Sequence, residues 1–358
     1  MKKGISACAY VWISIVGILV VLLAFAGTTV YVDPLFHYHA PMEGLEYPLY
    51  DDQYMNDGIV KHFEYDAVIT GSSMSANFKA SLFGELFDTN AIKVPLYGAS
   101  YCEINELLEQ AFAHNDHITH VMRALDSTML VVDKDTIYSS HRPEYLYDDD
   151  LLNDIEYVLN KDMYFKFTGY VFTYMRLGGK STNFDVYRNY SGSYEYNGQR
   201  LKESYRDQRT ERVDTLQELS EEDVQLLTEN LEQNVLALVK AHPDTEFYLF
   251  FPPYSVLYFD DLRQKGELDK MLDAHEEAIE LLLPYDNVHL YSFFDNFDLT
   301  CNLWNYSDTL HYNQDVCDVI LYNMASEEGL LTEENYEDYL ELIRFFYNEV
   351  DYDGFLYE

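Results

Sequence analysis

Residues 4 to 32 contain no charged side chain. A helix rises about 1.5 Å per residue, so the run from Ala7 to Val32 is long enough to cross the roughly 30 Å hydrocarbon layer of a bilayer. The sequence therefore predicts a transmembrane anchor over residues 1–32. Lys2 and Lys3 flank it, and the positive-inside rule places them in the cytoplasm and the body on the other side, as a single-pass protein with an extracytoplasmic C-terminal body. Ala24-Phe25-Ala26 resembles a signal-peptidase site, which makes a cleaved, secreted form the alternative. The apolar stretch runs past that site and exceeds the usual signal core, which favours a retained anchor.

The rest of the chain is strongly acidic. The full sequence has 23 Lys+Arg against 63 Asp+Glu, a formal net charge of -40, and the two leader lysines are the only charges before Asp33, which leaves residues 33–358 at -42. Such a body repels polyanions, so nucleic acid is excluded as a partner. At 48% hydrophobic residues the chain still has enough apolar material for a core. Of its four cysteines, Cys8 lies in the leader, and none makes a C-x-x-C pair, so a zinc or redox site of that type is not expected. Buried thiols are the expectation for the others, with a Cys301–Cys317 bridge as the alternative.

After the anchor, residues 33–60 read as an aromatic-rich extracytoplasmic collar. From residue 61 short apolar runs alternate with helical periodicity. Ala67–Thr70 ends at Gly71, Ala91–Leu96 runs to Gly98, His120–Leu125 follows, and Thr245–Phe251 and Val288–Tyr291 come later. Between them Ile104, Leu107, Leu108 and Ala111, then Val224, Leu227, Leu231, Val235 and Leu238, then Met271, Ala274, Ala278 and Leu281 recur at helical steps. Strands alternating with helices predict an α/β fold in three layers with about five parallel strands, over residues 61–325. A tyrosine-rich segment, 131–220, is read as an insertion between the third and fourth strands. Residues 326–358 are read as an acidic amphipathic helix docked on the core.

No Gly-x-x-x-x-Gly-Lys loop, Gly-x-Gly-x-x-Gly turn or His-Glu-x-x-His helix is present, and no cofactor or metal is expected. His37 and His39 could be metal ligands, but with no third ligand indicated packing near the membrane interface fits them better; His114, His117 and His120 have a suggestive spacing, but they run from a helix end into a strand and need not share a face. The chemistry concentrates elsewhere. Gly71-Ser72-Ser73 follows the first strand, where a sharp turn exposes a hydroxyl beside backbone N–H groups. A serine needs a base, and the base an orienting acid. Asp308-Thr309-Leu310-His311 supplies both at one turn. Alone, Gly-Ser-Ser is also a common helix cap. Trp304, just before that turn, either lines the pocket or packs in the core.

These two segments resemble the SGNH/GDSL hydrolase superfamily, and more closely its membrane-anchored extracytoplasmic branch, which includes the lipoteichoic-acid D-alanylation protein and alginate O-acetyltransferase-like proteins. The resemblance covers roughly residues 61–130 and 240–325. It implies Ser73 as nucleophile, His311 as general base and Asp308 as its partner, with the Ser73 and Gly98 N–H groups as oxyanion donors. Where the family has Gly-x-Asn-Asp after the third strand, this chain has Leu125-Asp126-Ser127-Thr128. The donor asparagine is absent, and Ser127 is the candidate substitute. The resemblance implies an esterase or O-acyltransferase that takes an acyl group from a donor and acts on cell-envelope glycans. The alternatives are a catalytically silent domain that binds glycan or assists a membrane acyltransferase partner, and a structural surface protein that shares only the fold.

Overall fold

The computed structural model describes residues 6–139, 142–148 and 150–357. Lys2 and Lys3 lie outside the described residues. The chain divides into two compact units, 1–63 with 141–182, and 64–140 with 183–358.

The first unit is built on the N-terminal helix Ala7–Val32. It is long and apolar enough to cross a membrane, with a mean hydropathy of 2.6. Its C-terminal end is fixed by Asp33, whose carboxylate accepts the N–H groups of His37, Tyr38 and His39 and the Tyr157 hydroxyl. Burial pushes the Asp33 carboxyl above its usual range, and those donors offset only part of the rise. The sequence reading separated a collar from an insertion, but part of that insertion packs with the collar in one unit. The reason is polar satisfaction: His37 and Tyr38 bond Asp154, and the Tyr147 hydroxyl donates to the Gln53 carbonyl.

The second unit carries a five-stranded parallel sheet, β1 Ala67–Gly71, β2 Ala91–Pro95, β3 His120–Ala124, β4 Glu246–Phe251 and β5 Val288–Ser292. Each expected strand lies within a residue or two of its apolar run. The order is β2-β1-β3-β4-β5. Registers such as Gly71↔Pro95, Ala124↔Phe250 and Phe251↔Ser292 keep the carboxyl ends level at one edge. Strands buried on both faces read as near-continuous apolar runs, and β1 is buried at all five positions. Helix Tyr101–His114 packs against the π-helical turn Glu232–Leu236, while Ala80–Phe87 packs against Gln314–Ala325.

Two cations stand inside this apolar sheet. Arg123 on β3 donates to the carbonyls of Asn234 (2.6 Å) and Tyr101 (3.2 Å). Lys93 on β2 donates to the carbonyls of Ala76 (2.5 Å) and Phe78 (2.8 Å), just downstream of Ser73. Burial pulls the Lys93 ammonium down to about 7. The C-terminal segment is two helices rather than one, Tyr336–Glu349 and Tyr352–Tyr357, interrupted at Val350. Leu330 pairs with Tyr291 of β5, which joins the segment to the sheet edge.

His275, wholly buried, meets the Tyr339 hydroxyl at 2.9 Å, and burial lowers its imidazole to about 3. The unfolded chain takes up that proton near the ordinary value of about 6.5, so unfolding binds a proton between the two values and stability falls as pH drops through that window. Urea unfolding at pH 7 and pH 4.5 should show a smaller loss of stability on acidification for His275→Gln than for the parent chain; equal losses would remove His275 from the account.

Candidate active site

The site begins where β1 ends. Gly71 has φ 138, and a Cβ there would stand 2.9 Å from the Ala124 Cβ, so only glycine lets the chain turn this close to β3. Ser72 then caps a single 3-10 turn, Ser73–Ser75, accepting the Met74 N–H at 3.2 Å. Ser75 donates back to the Ser72 carbonyl at 2.9 Å. The turn buries Ser72, Met74 and Ser75 and leaves Ser73 partly accessible.

His311 reaches it from the far end of the unit. Asp308 Oδ1 accepts the N–H groups of Leu310 and His311, both at 2.8 Å, and closes a tight turn. That turn explains the three-residue spacing, because it swings the imidazole back onto Asp308 Oδ2 at 2.7 Å from Nδ1. His311 Nε2 stands 2.8 Å from Ser73 Oγ. With Nδ1–H bonded to the carboxylate, Nε2 is the basic nitrogen facing the hydroxyl. Burial alone would lower the His311 pKa, but the Asp308 hydrogen bond and charge, with the Asp126 charge behind them, outweigh it and raise the value above the ordinary one. On Asp308 burial acts upward, and the His311 bond outweighs it and holds the carboxyl low.

The serine turn and the histidine loop are tied together by residues that the sequence reading did not single out. The Tyr312 hydroxyl donates to the Met74 carbonyl at 2.8 Å, and Asn77 Nδ2 donates to the Tyr312 carbonyl at 3.0 Å. Asn77 Oδ1 accepts the Tyr190 N–H at 3.0 Å, which brings the tyrosine segment to the same place. The histidine loop is also fastened to the end of β4, where Ser255 Oγ donates to the Thr309 carbonyl and Tyr306 to the Pro253 carbonyl.

A cavity of about 320 Å³ opens on this arrangement, lined by Ser73, Tyr97, Gly98, Tyr190, Tyr194, Asp308 and His311. Gly98 has φ 67. Among the described residues, neither the Ser73 nor the Gly98 N–H has a hydrogen-bond partner in the protein. Two unengaged donors beside the Ser73 hydroxyl are the arrangement an oxyanion requires. The Arg188 guanidinium lies 4.0 Å from the Tyr97 ring centroid, and Tyr190 stands edge-on to His311 at 5.8 Å. A second cavity of about 260 Å³ shares Tyr194 and Asp308 with the first and adds Asn197, Arg200, Ser204 and Ser307. The larger cavity near Phe293, of about 400 Å³, is lined by Asp295, Asp298 and Glu328 but by no serine or histidine.

Two expected site residues are not brought to the triad cavity. Ser127 is buried, its Oγ enclosed without a partner, and it is not among the lining residues. The preceding Asp126 turns the backbone inward, because its Oδ1 accepts from the Tyr254 hydroxyl at 2.9 Å and its carbonyl from Tyr101 at 3.1 Å. Trp304 is 59% exposed on the short turn Leu303–Asn305, and it too lies outside the lining. Among the cysteines, Cys301 and Cys317 are free thiols, so the alternative bridge is not formed.

A solved structure described as "a putative platelet activating factor from Streptococcus pneumonia" aligns with a TM-score of 0.36 and 13% identity, over 81% of this chain and 91% of that chain. No family model matches the sequence. No curated protein matches it either. The site is therefore read from its own geometry.

Three outcomes with a model ester test whether these side chains work together. A base of raised pKa must lose its proton to work, so kcat/KM should climb with pH and level off above an apparent pKa higher than 6.5. Asp308→Asn should lower that pKa and cut kcat by about 10³- to 10⁴-fold; a profile that does not move would detach Asp308 from the base. Tyr312→Phe should lower kcat by about 10- to 100-fold through misplacement, with KM little changed. A proportional change in both constants, or none, would contradict a positioning role.

Proposed function

We propose that this chain is a membrane-anchored, extracytoplasmic serine esterase or O-acyltransferase of SGNH/GDSL type, acting on acyl esters of cell-envelope glycans. The observation that carries the reading is the unbroken line Asp308 Oδ2, His311 Nδ1, His311 Nε2, Ser73 Oγ, with steps of 2.7 and 2.8 Å between residues. In this reading Ser73 Oγ attacks the acyl carbonyl while His311 Nε2 takes its proton. The carbonyl oxygen becomes an oxyanion, held by the Ser73 and Gly98 N–H groups. His311 returns the proton to the departing alcohol, which leaves an acyl group on Ser73. Water or a sugar hydroxyl, deprotonated by His311, then takes the acyl group and restores the serine.

The glycan part of the reading is supported by the lining. Tyr97, Tyr190 and Tyr194 line the cavity around Ser73 with rings and hydroxyls, and the adjoining cavity adds the polar side chains of Asn197, Arg200, Ser204 and Ser307. A body at -42 favours a neutral or cationic substrate over an anionic one. The anchor is supported by the Ala7–Val32 helix.

A second reading, a silent domain that binds glycan or assists a membrane acyltransferase, is favoured by one observation. No described lining residue of the triad cavity carries a side-chain amide, so the donor asparagine of the SGNH pattern has no counterpart there. A lost donor is worth about 3 kcal/mol at such sites. The full-length protein in detergent, treated with a fluorophosphonate probe and with p-nitrophenyl acetate, separates the two. Labelling and ester cleavage in the parent chain, both abolished in Ser73→Ala and His311→Ala, are expected. A folded parent chain that neither labels nor cleaves would overturn the enzyme in favour of the silent domain.

A further inference from the structure

Residues 151 to 177 carry an exposed apolar surface that solubility alone does not explain. Leu152 is 86% exposed, Leu177 80% and Phe165 68%, with Leu151, Ile155 and Phe172 exposed beside them in the sequence. Isolated exposed apolar residues are ordinary, but six within 27 residues of a strongly acidic chain are not. The segment also departs in charge. Asp154, Glu156 and Asp162 are balanced by Lys161, Lys166 and Arg176, a net of zero within a body at -42. Asp154 is turned inward onto His37 and Tyr38, and Lys166 is paired with Asp51 at 2.9 Å.

The segment's place within its unit says what faces this surface. It packs on the last turns of the N-terminal helix, where the Tyr164 and Phe25 rings are 4.4 Å apart and Thr168 Oγ1 meets Thr29 Oγ1 at 3.3 Å. Counted from Ala7, about 30 Å of helix ends near Ala26, so the Phe25 contact falls at the boundary between hydrocarbon and headgroups. Tyrosine is a side chain that boundary favours, and phenylalanine is one that interfacial apolar faces carry. Tyr164 makes that contact, and the segment also carries Phe165, Tyr170 and Phe172.

We propose that residues 151 to 177 form a second membrane attachment, a monotopic apolar surface seated in the leaflet at the C-terminal end of the N-terminal helix. Its occupant is the lipid bilayer itself, continuous with the lipid around that helix. The proposal rests on the reading of Ala7–Val32 as a membrane span. Apolar side chains enter the boundary between headgroups and acyl chains, and the exposed Glu156 and Asp162 are offset by Lys161 and Arg176, so the segment meets the leaflet without net charge.

The test uses the full-length chain in phosphatidylcholine vesicles whose acyl chains are brominated near the headgroup. With Trp304→Phe, native Trp12 reports on the span alone. In a Trp12→Phe, Trp304→Phe background, Leu152→Trp, Phe165→Trp and Leu177→Trp report separately on the proposed surface, and Gln225→Trp on the second unit serves as a control. Quenching at positions 152, 165 and 177 of at least half that of Trp12, with none at 225, is the expected result. Quenching of Trp12 without quenching at those three positions overturns the proposal and leaves the span intact. Sheltered but unquenched emission at the three positions would mean that protein covers the surface, which also overturns it. Absence of quenching at Trp12 and at all three would overturn the span and the attachment together.

Discussion

A parallel strand cannot be joined to its neighbour without a crossing back, so every strand of such a sheet ends on the same edge and hands its following loop to the same side. In this chain that constraint does most of the assembly. Ser73 follows β1, Gly98 follows β2, and His311 lies in the loop region beyond β5, yet they line one cavity. The order β2-β1-β3 sends the connections of β1 and β3 in opposite directions, which opens a crevice at their ends, where the serine turn sits. Gly71 is the residue on which this depends most locally, since a side chain there would collide with Ala124 on the neighbouring strand.

Level strand ends bring loops near each other, but they do not set 2.8 Å distances. The finer geometry comes from polar groups placed deep in the fold. Lys93 holds the carbonyls of Ala76 and Phe78, so the chain leaving the serine turn is pinned to β2. Burying an unpaired cation costs several kcal/mol, and carbonyl oxygens offset only part of it, which is why its proton is held so loosely. Tyr312 and Asn77 then bridge the turn to the histidine loop. Each such bond is worth about 1 kcal/mol net, a small sum for stability. Their value lies in fixing two loops 238 residues apart in sequence to one geometry.

Features with a local physical signature were legible in the sequence. The five strands announced themselves as apolar runs ending at turn residues, the N-terminal helix as a charge-free stretch, and the Asp308–His311 pair as a spacing that one hydrogen-bonded turn produces. Tyr312 and Asn77 gave no signal, because a tyrosine or asparagine that bonds a carbonyl more than 200 residues away looks like any other. Ser127 and Trp304 misled for the opposite reason. Ser127 follows the third strand and Trp304 precedes the Asp308–His311 turn, but the direction of a side chain is set by its neighbours in space, and at Asp126 the Tyr254 and Tyr101 hydroxyls draw the chain inward. The division of the tyrosine-rich segment was hidden in the same way. Asp33 needs the Tyr157 hydroxyl, a partner 124 residues distant.

The distribution of charge follows the same logic of place. Between exposed groups in physiological salt, fields fade over roughly 8 Å, so the acidity of the body matters only to what comes within a side chain's length of it. The acidic body as a whole repels a polyanion, and a neutral glycan does not suffer that repulsion. A membrane with anionic lipid would, unless the facing surface were neutral. Residues 151 to 177 are neutral, with Asp154 buried against His37 and Tyr38 and Lys166 paired. Fully burying one leucine or phenylalanine side chain contributes about 1.5–3 kcal/mol, more than an exposed ion pair. The segment that packs on the N-terminal helix therefore depends on apolar contact more than on its ion pairs, in contrast to the acidic surface of the rest of the body.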